Sequence, residues 1–223
     1  MTLELYIFNM CPHCQRVRVL LNSLALPHQL HRLDPSNKPP NFTTISPLGT
    51  VPVLRVNDQA SILDSLAINE YLNDYAGGSM LPADTLARGV VRGWTGFASD
   101  IQGDMVKLMA AETEQSLLSV AATMTKKLQV LEKLIAQAIL PVAPHALTLL
   151  DAVMAPLFLR FNVMHNHLPL IDASTMPHMQ AWQSWLIAEP AVVNSVDGDF
   201  SALFQRFIEQ RSGGALAARM DGE

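Results

Sequence analysis

The chain is poor in cysteine, in charge and in uninterrupted apolar runs. Two of its 223 residues are cysteines, which excludes a secreted scaffold held together by many disulfides and fits a reducing compartment. A charged fraction of 16% with a net charge of −5 argues against nucleic acid as the main partner. The longest apolar stretch, 146–164, is interrupted by Asp151, Pro156 and Arg160, so we predict no membrane-spanning segment.

The chain does contain enough apolar material for a large core. Hydrophobic residues make up 49% of the sequence, which argues against global disorder and allows one large domain or two small ones. The sequence enters an apolar run, 5–8, without the basic and then apolar segments of a secretory signal. We therefore expect a cytoplasmic protein.

The two cysteines form a Cys-x-x-Cys motif, Cys11-Pro12-His13-Cys14, directly behind the run 5–8. This order predicts a strand, a tight turn and the start of a helix, with two sulfurs close enough to bridge. Free N–H groups at a helix N-terminus favour an anion, so we expect the thiolate form of Cys11 to be stabilised. Pro12 suits the first helical position, because the N–H group that it lacks would have no partner there. A thiolate beside a second thiol is the minimum requirement for thiol–disulfide exchange.

Two simpler interpretations of the cysteine pair remain open from the residues alone. A zinc site would need two further ligands, and the sequence has neither a second cysteine pair nor a His-x3-His run. The nearest candidates, His165 and His167, have a poor ligand spacing, so we predict no metal. A buried inert pair is the other alternative, although proline at the helix start is unusual for one.

Residues 1–80 mix strand and helix patterns. A helical face with apolar residues at i, i+3, i+4 and i+7 follows the cysteine motif and is formed by Val17, Leu20, Leu21 and Leu24. Next come a weak strand over 28–33, a proline-rich loop over 34–41, and two strands joined by a tight turn at Asn57 and Asp58. Asp64 and Ser65 supply capping chemistry for the helix that follows. The predicted order is β-α-β, loop, β-β-α.

The rest of the sequence has an almost wholly helical pattern. After a linker that begins at 77–79, helices are predicted over 84–112, 115–139, 148–164, 176–188 and 199–210. Thr148 and Asp151 have the spacing of a capping box. Trp182 and Trp185 lie on one helix face, and both are interpreted as core.

Several segments in combination resemble one family. They are the cysteine motif, 37–42 with Lys38, 46–54 with Val51 and Pro52, 62–72 with Asp64 and Ser65, 148–156, and 176–192. With these segments the chain resembles the cytosolic glutathione transferase superfamily over almost its whole length. The cysteine-led motif and the Lys38 loop look most like the omega class. The dithiol looks like the two-domain glutaredoxin-2 type and the dehydroascorbate reductases.

The resemblance implies a glutathione transferase fold with two domains. An α/β thioredoxin-like N-terminal domain is expected over 1–78 and an all-α helical C-terminal domain over 84–212, with 213–223 as a frayed tail. Residues 141–145 replace the family's glycine-rich approach to the capping-box helix, so different packing is expected there. Family habit leaves the choice between a monomer and a homodimer open.

The resemblance also implies a glutathione site. The expected catalytic residues are Cys11 and Cys14, and the expected glutathione-binding residues are Pro12, Lys38, Val51, Pro52, Asp64 and Ser65. A cis Pro52 would turn the Val51 backbone toward the cysteinyl peptide group of glutathione. Asp64 and Ser65 would hold the γ-glutamyl end, and Lys38 would pair with the glycine carboxylate.

Each of these binding roles has a plainer alternative. In the plainer alternative, Asp64 and Ser65 serve only as a helix cap and Lys38 is a solvated loop charge. Pro52 then marks only a strand boundary.

Three functions follow from these expectations. The first is a glutathione-dependent thiol–disulfide oxidoreductase of the thioltransferase, deglutathionylase or dehydroascorbate reductase type. Its cofactor is glutathione and its substrate is a disulfide or an electrophile. The second is a transferase that conjugates glutathione to electrophiles. The third is a non-catalytic regulator of the stringent-starvation type.

Overall fold

The computed structural model describes residues 1–140, 146–212 and 214–220, and it begins with a mixed four-stranded sheet flanked by helices. Its first elements are β1 (Leu3–Ile7), α1 (Pro12–Ser23), β2 (Gln29–Arg32), α2 (Phe42–Ile45), β3 (Val53–Val56), β4 (Ala60–Leu63) and α3 (Ser65–Tyr75). The predicted β-α-β, loop, β-β-α order is confirmed. The short helix α2 is an addition that no periodicity in the sequence indicated.

The sheet has the strand order β2-β1-β3-β4. β1 pairs with β2 in parallel, and the other neighbours are antiparallel. The register places Tyr6 opposite Val53, and Val53 opposite Leu63. The C-terminal ends of β1, β2 and β4 therefore lie at the same edge of the sheet as the N-terminal end of β3.

The hairpin between β3 and β4 turns at Asn57 and Asp58, as predicted. Both residues have positive φ angles, 52° and 57°. A two-residue hairpin turn of this type needs left-handed backbone at both central positions, and asparagine and aspartate tolerate it better than most residues. This turn fixes the register that aligns the start of β3 with the end of β4.

The rest of the chain, from residue 84 on, is helical. Residues 1–78 are called the sheet half below, and this part is called the helical half. Its elements are α4 (Thr85–Met109), α5 (Glu114–Ala136), α6 (Leu149–Met164), α7 (Pro177–Leu186), α8 (Pro190–Val193), α9 (Phe200–Ser212) and α10 (Ala215–Met220). The five predicted helices are present with bounds shifted by a few residues. No helix in the described ranges is both long and apolar enough to cross a membrane.

Helix α6 lies at the centre of the helical half. It packs against α4 on one side and against α1 of the sheet half on the other, which explains its nearly unbroken apolar sequence. The predicted capping box starts this helix: the Thr148 amide donates to the Asp151 carboxylate over 2.8 Å, and the Asp151 amide donates to the Thr148 hydroxyl over 3.3 Å. The predicted core position of Trp182 is also confirmed, and its indole N–H donates to the same carboxylate over 2.7 Å.

The expectation of a frayed tail is wrong for residues 215–220. Helix α10 packs against α9 and α5, and Leu216 is fully buried. The Ala215 amide donates to the carbonyl of Ala111 over 3.0 Å, and the Arg219 guanidinium donates to the carbonyl of His167 over 2.9 Å. Apolar burial and these bonds hold the segment, which glycine content and polarity alone did not indicate. Positions 213 and 221–223, and the expected packing difference at 141–145, lie outside the described residues.

Candidate active site

Four loops that carry the predicted site residues leave the sheet from one edge. The cysteine loop follows β1, the Lys38 loop follows β2, Pro52 directly precedes β3, and Asp64 directly follows β4. Because the register aligns these strand ends, residues far apart in sequence come together here. The topology thus brings the predicted catalytic residues and the predicted glutathione-binding residues to one side of the sheet.

Cys11 is the N-cap residue of α1, and Pro12 is the first residue of that helix, as predicted. The Cys14 backbone amide donates a hydrogen bond to the Cys11 sulfur over 3.4 Å. Both cysteines are free thiols, but Cys11 is partly exposed, whereas Cys14 has only 1% of its surface exposed. The two sulfurs therefore differ in access as well as in their place on the helix.

The two thiols also differ in acidity. A hydrogen bond from the Cys14 thiol is the largest cause that lowers the pKa of Cys11 to about 7, and backbone amides of His13 and Cys14 and the charge of Arg160 act in the same direction against burial. Burial raises the pKa of Cys14 well above its ordinary value. Near neutral pH the accessible sulfur is therefore substantially a thiolate, and the buried sulfur is a thiol.

His13 lies between the two cysteines but carries no charge at neutral pH. Burial is the main cause that lowers the pKa of its imidazole to about 4. A neutral imidazole cannot act as the cation that stabilises a thiolate. The positive charges near the cysteine motif come instead from three buried guanidinium groups, those of Arg16, Arg18 and Arg160.

Asp64 caps helix α3 with a left-handed backbone, φ 69°. Its Oδ1 atom accepts from the amides of Leu66 over 2.8 Å and Ala67 over 3.1 Å. Burial lowers the pKa values of His13 and Arg16 on α1, and the charge of Asp64 opposes both shifts, so the carboxylate lies near the start of α1. Ser65 is buried as the first residue of α3. Asp64 therefore caps α3, and its position is compatible with the predicted binding of the γ-glutamyl end of glutathione.

The predicted cis peptide is present between Val51 and Pro52. Pro52 is buried, and Val51 is partly exposed at the start of β3. The Lys38 ammonium donates to the carbonyl of Gly49 over 2.8 Å and lies 5.6 Å from the ring centroid of Phe8. Lys38 is therefore more than a solvated loop charge, because it joins its own loop to the segment before Val51 and to the residue after β1.

Sequence reasoning assigned no role to three buried polar residues behind the cysteine motif, Arg160, Gln15 and Ser195. Arg160, Gln15 and Ser195 form a hydrogen-bonded chain there, and Arg16 donates to the hydroxyl of Ser99 at 3.2 and 3.3 Å. One signal was available: Arg160 is the only lysine or arginine in the apolar stretch 146–164. A lone cationic side chain inside such a stretch is rarely buried without a specific partner.

A cavity opens beside the cysteine loop, between it and helix α9. Its volume is about 310 Å³, and its lining includes Asn9, Met10, Phe200, Leu203, Arg206 and Phe207. The wall is thus mainly apolar, with two charged side chains of opposite sign, Arg206 and Asp197, and two polar ones, Asn9 and Gln210. Met10 is the residue directly before Cys11, so the cavity borders the cysteine loop.

Comparison with known proteins finds a family match near the start of the chain. Residues 5–80 match the family model described as the N-terminal domain of glutathione S-transferase. Glutathione S-transferase omega-1 from Sus scrofa is 24% identical over 192 residues, an alignment that covers 85% of this chain and 78% of the pig protein.

Two solved structures share the fold. Glutathione transferase Omega 3C from Trametes versicolor superposes with a TM-score of 0.79 at 22% identity, covering 94% of this chain and 91% of the fungal one. Rice GST1, solved in complex with glutathione, gives a TM-score of 0.81 at 20% identity, covering 94% of this chain and 95% of the rice chain. The thioredoxin-like sheet half and the helical half are therefore both parts of a glutathione transferase fold.

Proposed function

We propose that this omega-like protein of the cytosolic glutathione transferase superfamily is a glutathione-dependent thiol–disulfide oxidoreductase with Cys11 as its nucleophile. The observation that carries the proposal is the contrast between the two thiols. Cys11 is accessible at a helix N-terminus with a pKa lowered to about 7, whereas Cys14 is buried and its pKa is raised. A reactive thiolate beside a protonated partner suits stepwise disulfide exchange.

Glutathione is the proposed cofactor, bound along the sheet edge by the six residues that the sequence indicated. The Val51 backbone beside Pro52 would pair with the cysteinyl peptide group, as an added strand pairs with a sheet edge. Asp64 and Ser65 at the start of α3 would hold the γ-glutamyl end, and Lys38 the glycine carboxylate. The rice relative, whose fold this chain shares, was solved with glutathione bound, which supports the assignment.

The proposed reaction has two exchange steps. In the first, the Cys11 thiolate attacks the glutathione-side sulfur of a mixed disulfide. A new Cys11–glutathione disulfide forms, the substrate's S–S bond breaks, and the substrate leaves as a thiolate that takes a proton from water. In the second, a glutathione thiolate attacks the glutathione sulfur bound to Cys11, which yields oxidised glutathione and restores the Cys11 thiolate.

Cys14 offers a second route out of the intermediate. After losing its proton, it attacks the Cys11 sulfur, forms the Cys11–Cys14 disulfide and releases glutathione. Burial raises the pKa of this thiol, so only a small fraction of Cys14 is thiolate near neutral pH, which slows this route. We place the glutathione-binding half at 1–78 and the acceptor-binding half at 84–212, with the cavity beside Met10 as the acceptor pocket.

Trapping the intermediate tests this proposal. The Cys14→Ser variant, mixed with oxidised glutathione, should gain one glutathionyl group on Cys11, visible by intact-protein mass spectrometry. The Cys11→Ser variant should gain none. Failure of Cys11 to form the adduct would contradict the proposal. In that case, conjugation of an electrophile that survives Cys11→Ser would move the enzyme to the conjugating class.

A further inference from the structure

A buried cation from the helical half reaches the cysteine loop. Arg160 on α6 has 1% of its surface exposed. One terminal nitrogen, Nη2, donates to the carbonyl of Met10 over 2.8 Å, and the other, Nη1, donates to the Gln15 side-chain oxygen over 2.8 Å. Met10 directly precedes Cys11, and Gln15 directly follows Cys14. The guanidinium therefore forms hydrogen bonds to the residues on both sides of the Cys-x-x-Cys segment.

Arg160 has no carboxylate partner within the described parts of the chain. Its hydrogen bonds go to the Gln15 amide oxygen and to the carbonyls of Met10 and Pro156, the last over 2.7 Å. The rings of Phe200 and Phe204 lie 5.2 and 5.5 Å from the guanidinium carbon. A buried cation without an anion is unfavourable, and burial lowers the pKa of Arg160 to about 10. Among the residues that the structure describes, the only charge that acts to raise this pKa is that of the Cys11 thiolate.

The Gln15 side chain, which accepts a hydrogen bond from Arg160, is also held by a second segment of the helical half. The Gln15 amide nitrogen donates to the Ser195 hydroxyl over 3.2 Å, and Ser195 donates to the carbonyl of Val192 over 2.6 Å. Gln15 and Ser195 are both buried. Helix α6 and the end of α8, both in the helical half, therefore fix the ends of a loop that belongs to the sheet half.

We propose that Arg160 is a positioning residue for Cys11: it holds the Met10 carbonyl and the Gln15 side chain in place around the loop, and its charge stabilises the Cys11 thiolate. The inference rests on the proposed function, in which that thiolate is the nucleophile. It assigns the helical half a part in thiol activation, in addition to binding an acceptor.

The other ionisable groups near Cys11 do not duplicate this role. His13 is neutral near pH 7 and Cys14 is protonated, for the reasons given above. Asp64 is negative and disfavours a thiolate. Arg16 and Arg18 are further buried cations near the thiols, but neither guanidinium bonds the loop backbone. Arg16 donates to the Ser99 hydroxyl on α4, and Arg18 donates to the Asp197 carboxylate. Arg160 alone among these groups combines a positive charge with a hydrogen bond to the backbone next to Cys11.

The test is the pH dependence of Cys11 alkylation by iodoacetamide, measured in the full chain with Cys14→Ser as background. Arg160→Gln keeps a polar side chain but removes the charge, and it should raise the pKa of Cys11 by about one unit, which slows alkylation at pH 6 about tenfold. Arg160→Lys restores the charge and should recover most of that rate. Arg32→Met is the matched control, because it removes another guanidinium that joins the two halves, through Asp197, and should leave the rate unchanged.

Equal rates in Arg160→Gln and the background protein would overturn the proposal, and so would an equal loss in the Gln and Lys variants. If neither variant folds, arginine side-chain NMR of the wild-type chain decides. The Arg160 guanidinium signal should shift with the midpoint of Cys11 ionisation, and this shift should vanish in Cys11→Ser. An Arg160 signal that does not shift when Cys11 ionises would overturn the proposal.

Alkylation requires no glutathione, so the two claims fail separately. A pKa that responds to Arg160 in a protein without thiol transfer would retain this inference and reject the proposed function. If thiol transfer occurs but substitution of Arg160 leaves the pKa of Cys11 unchanged, the proposed function is retained and this inference is rejected.

Discussion

The backbone amide of Cys14 donates to the sulfur of Cys11 over 3.4 Å, so the residue that carries the buried thiol stabilises the negative charge of the accessible one. This relationship follows from placing Cys11 at the N-cap position, where the sulfur faces the free amides of the first helical turn. The same geometry buries Cys14 one turn further along the helix. The sequence spacing thus produces two thiols with opposite shifts in pKa.

The difference between the thiols predicts selective labelling. At pH 7.5, brief treatment with iodoacetamide should add one carboxamidomethyl group, on Cys11, because alkylation requires the thiolate. The rate should rise as the pH rises through about 7, the pKa of Cys11. Peptide mapping by mass spectrometry checks the site. Equal labelling of Cys14 in the folded chain would show that burial does not protect it.

Two substitutions of Asp64 separate its role as a helix cap from its proposed role in binding glutathione. Asp64→Asn keeps a good capping oxygen and a side chain that tolerates the positive φ angle, so the free energy of unfolding should change by only about 0.5 kcal/mol. Loss of the negative charge should nevertheless weaken glutathione binding about tenfold, which the KM for glutathione would report. Asp64→Ala should lose both, with about 1 kcal/mol of destabilisation. An unchanged KM in Asp64→Asn would leave the helix cap as the only role of this residue.

The contact of Asp197 with Arg18 and Arg32 predicts an acid-sensitive link between the two halves. The hydrogen bond from Arg32 is the largest cause that lowers the pKa of Asp197 to about 2. Because the folded-state pKa is depressed, this stabilisation is complete above the ordinary value of 3.8 and is lost as the pH falls toward about 2. Asp197→Asn should therefore destabilise the protein by about 1 kcal/mol at neutral pH, since the group is partly exposed.

Urea unfolding at several pH values measures this effect. The difference between wild type and Asp197→Asn should shrink as the pH is lowered from neutrality toward 2. A difference that stays constant over this range would show that the ion pairs do not contribute through the charge of Asp197.

Substitution of Asp151 should have a large effect on stability for a single polar residue. It closes the capping box with Thr148 and accepts the indole N–H of buried Trp182. Asp151→Ala should destabilise by about 3 kcal/mol, because it removes a cap and leaves a buried donor unpaired. Thr148→Ala removes only part of the cap and should cost about 1 kcal/mol.

Thermal and urea unfolding check these values. Asp172→Ala serves as the control, because this exposed carboxylate bonds only nearby Ser174 and Thr175 in its own turn. It should change stability by about 0.5 kcal/mol or less. Similar losses in Asp151→Ala and Asp172→Ala would refute the structural role given to Asp151.

Local patterns in the sequence were sufficient for most of the fold. The turn at Asn57 and Asp58 and the capping box at Thr148 depend on residues close in the chain, so their chemistry can be recognised without the tertiary structure. The cysteine helix was predictable for the same reason. Helix α2 is a single short turn and has too few residues to show a periodicity.

The interior of the candidate site was not predictable in this way. Arg160 meets Met10 and Gln15 across about 150 residues of sequence, and only the packing of α1 on α6 brings them together. Helix α10 likewise depends on long-range contacts, such as the bond from Ala215 to Ala111. Both features arise from tertiary packing, which propensity and spacing do not encode.

Glutathione-dependent reduction of a small mixed disulfide, measured with wild type, Cys11→Ser and Cys14→Ser, tests the central claim most directly. The proposed function predicts that Cys11→Ser loses activity by at least about 1,000-fold, because a serine hydroxyl is scarcely ionised at neutral pH, whereas Cys14→Ser retains most of it. Equal loss in both variants would indicate an obligatory dithiol cycle. Activity that survives Cys11→Ser would contradict the account.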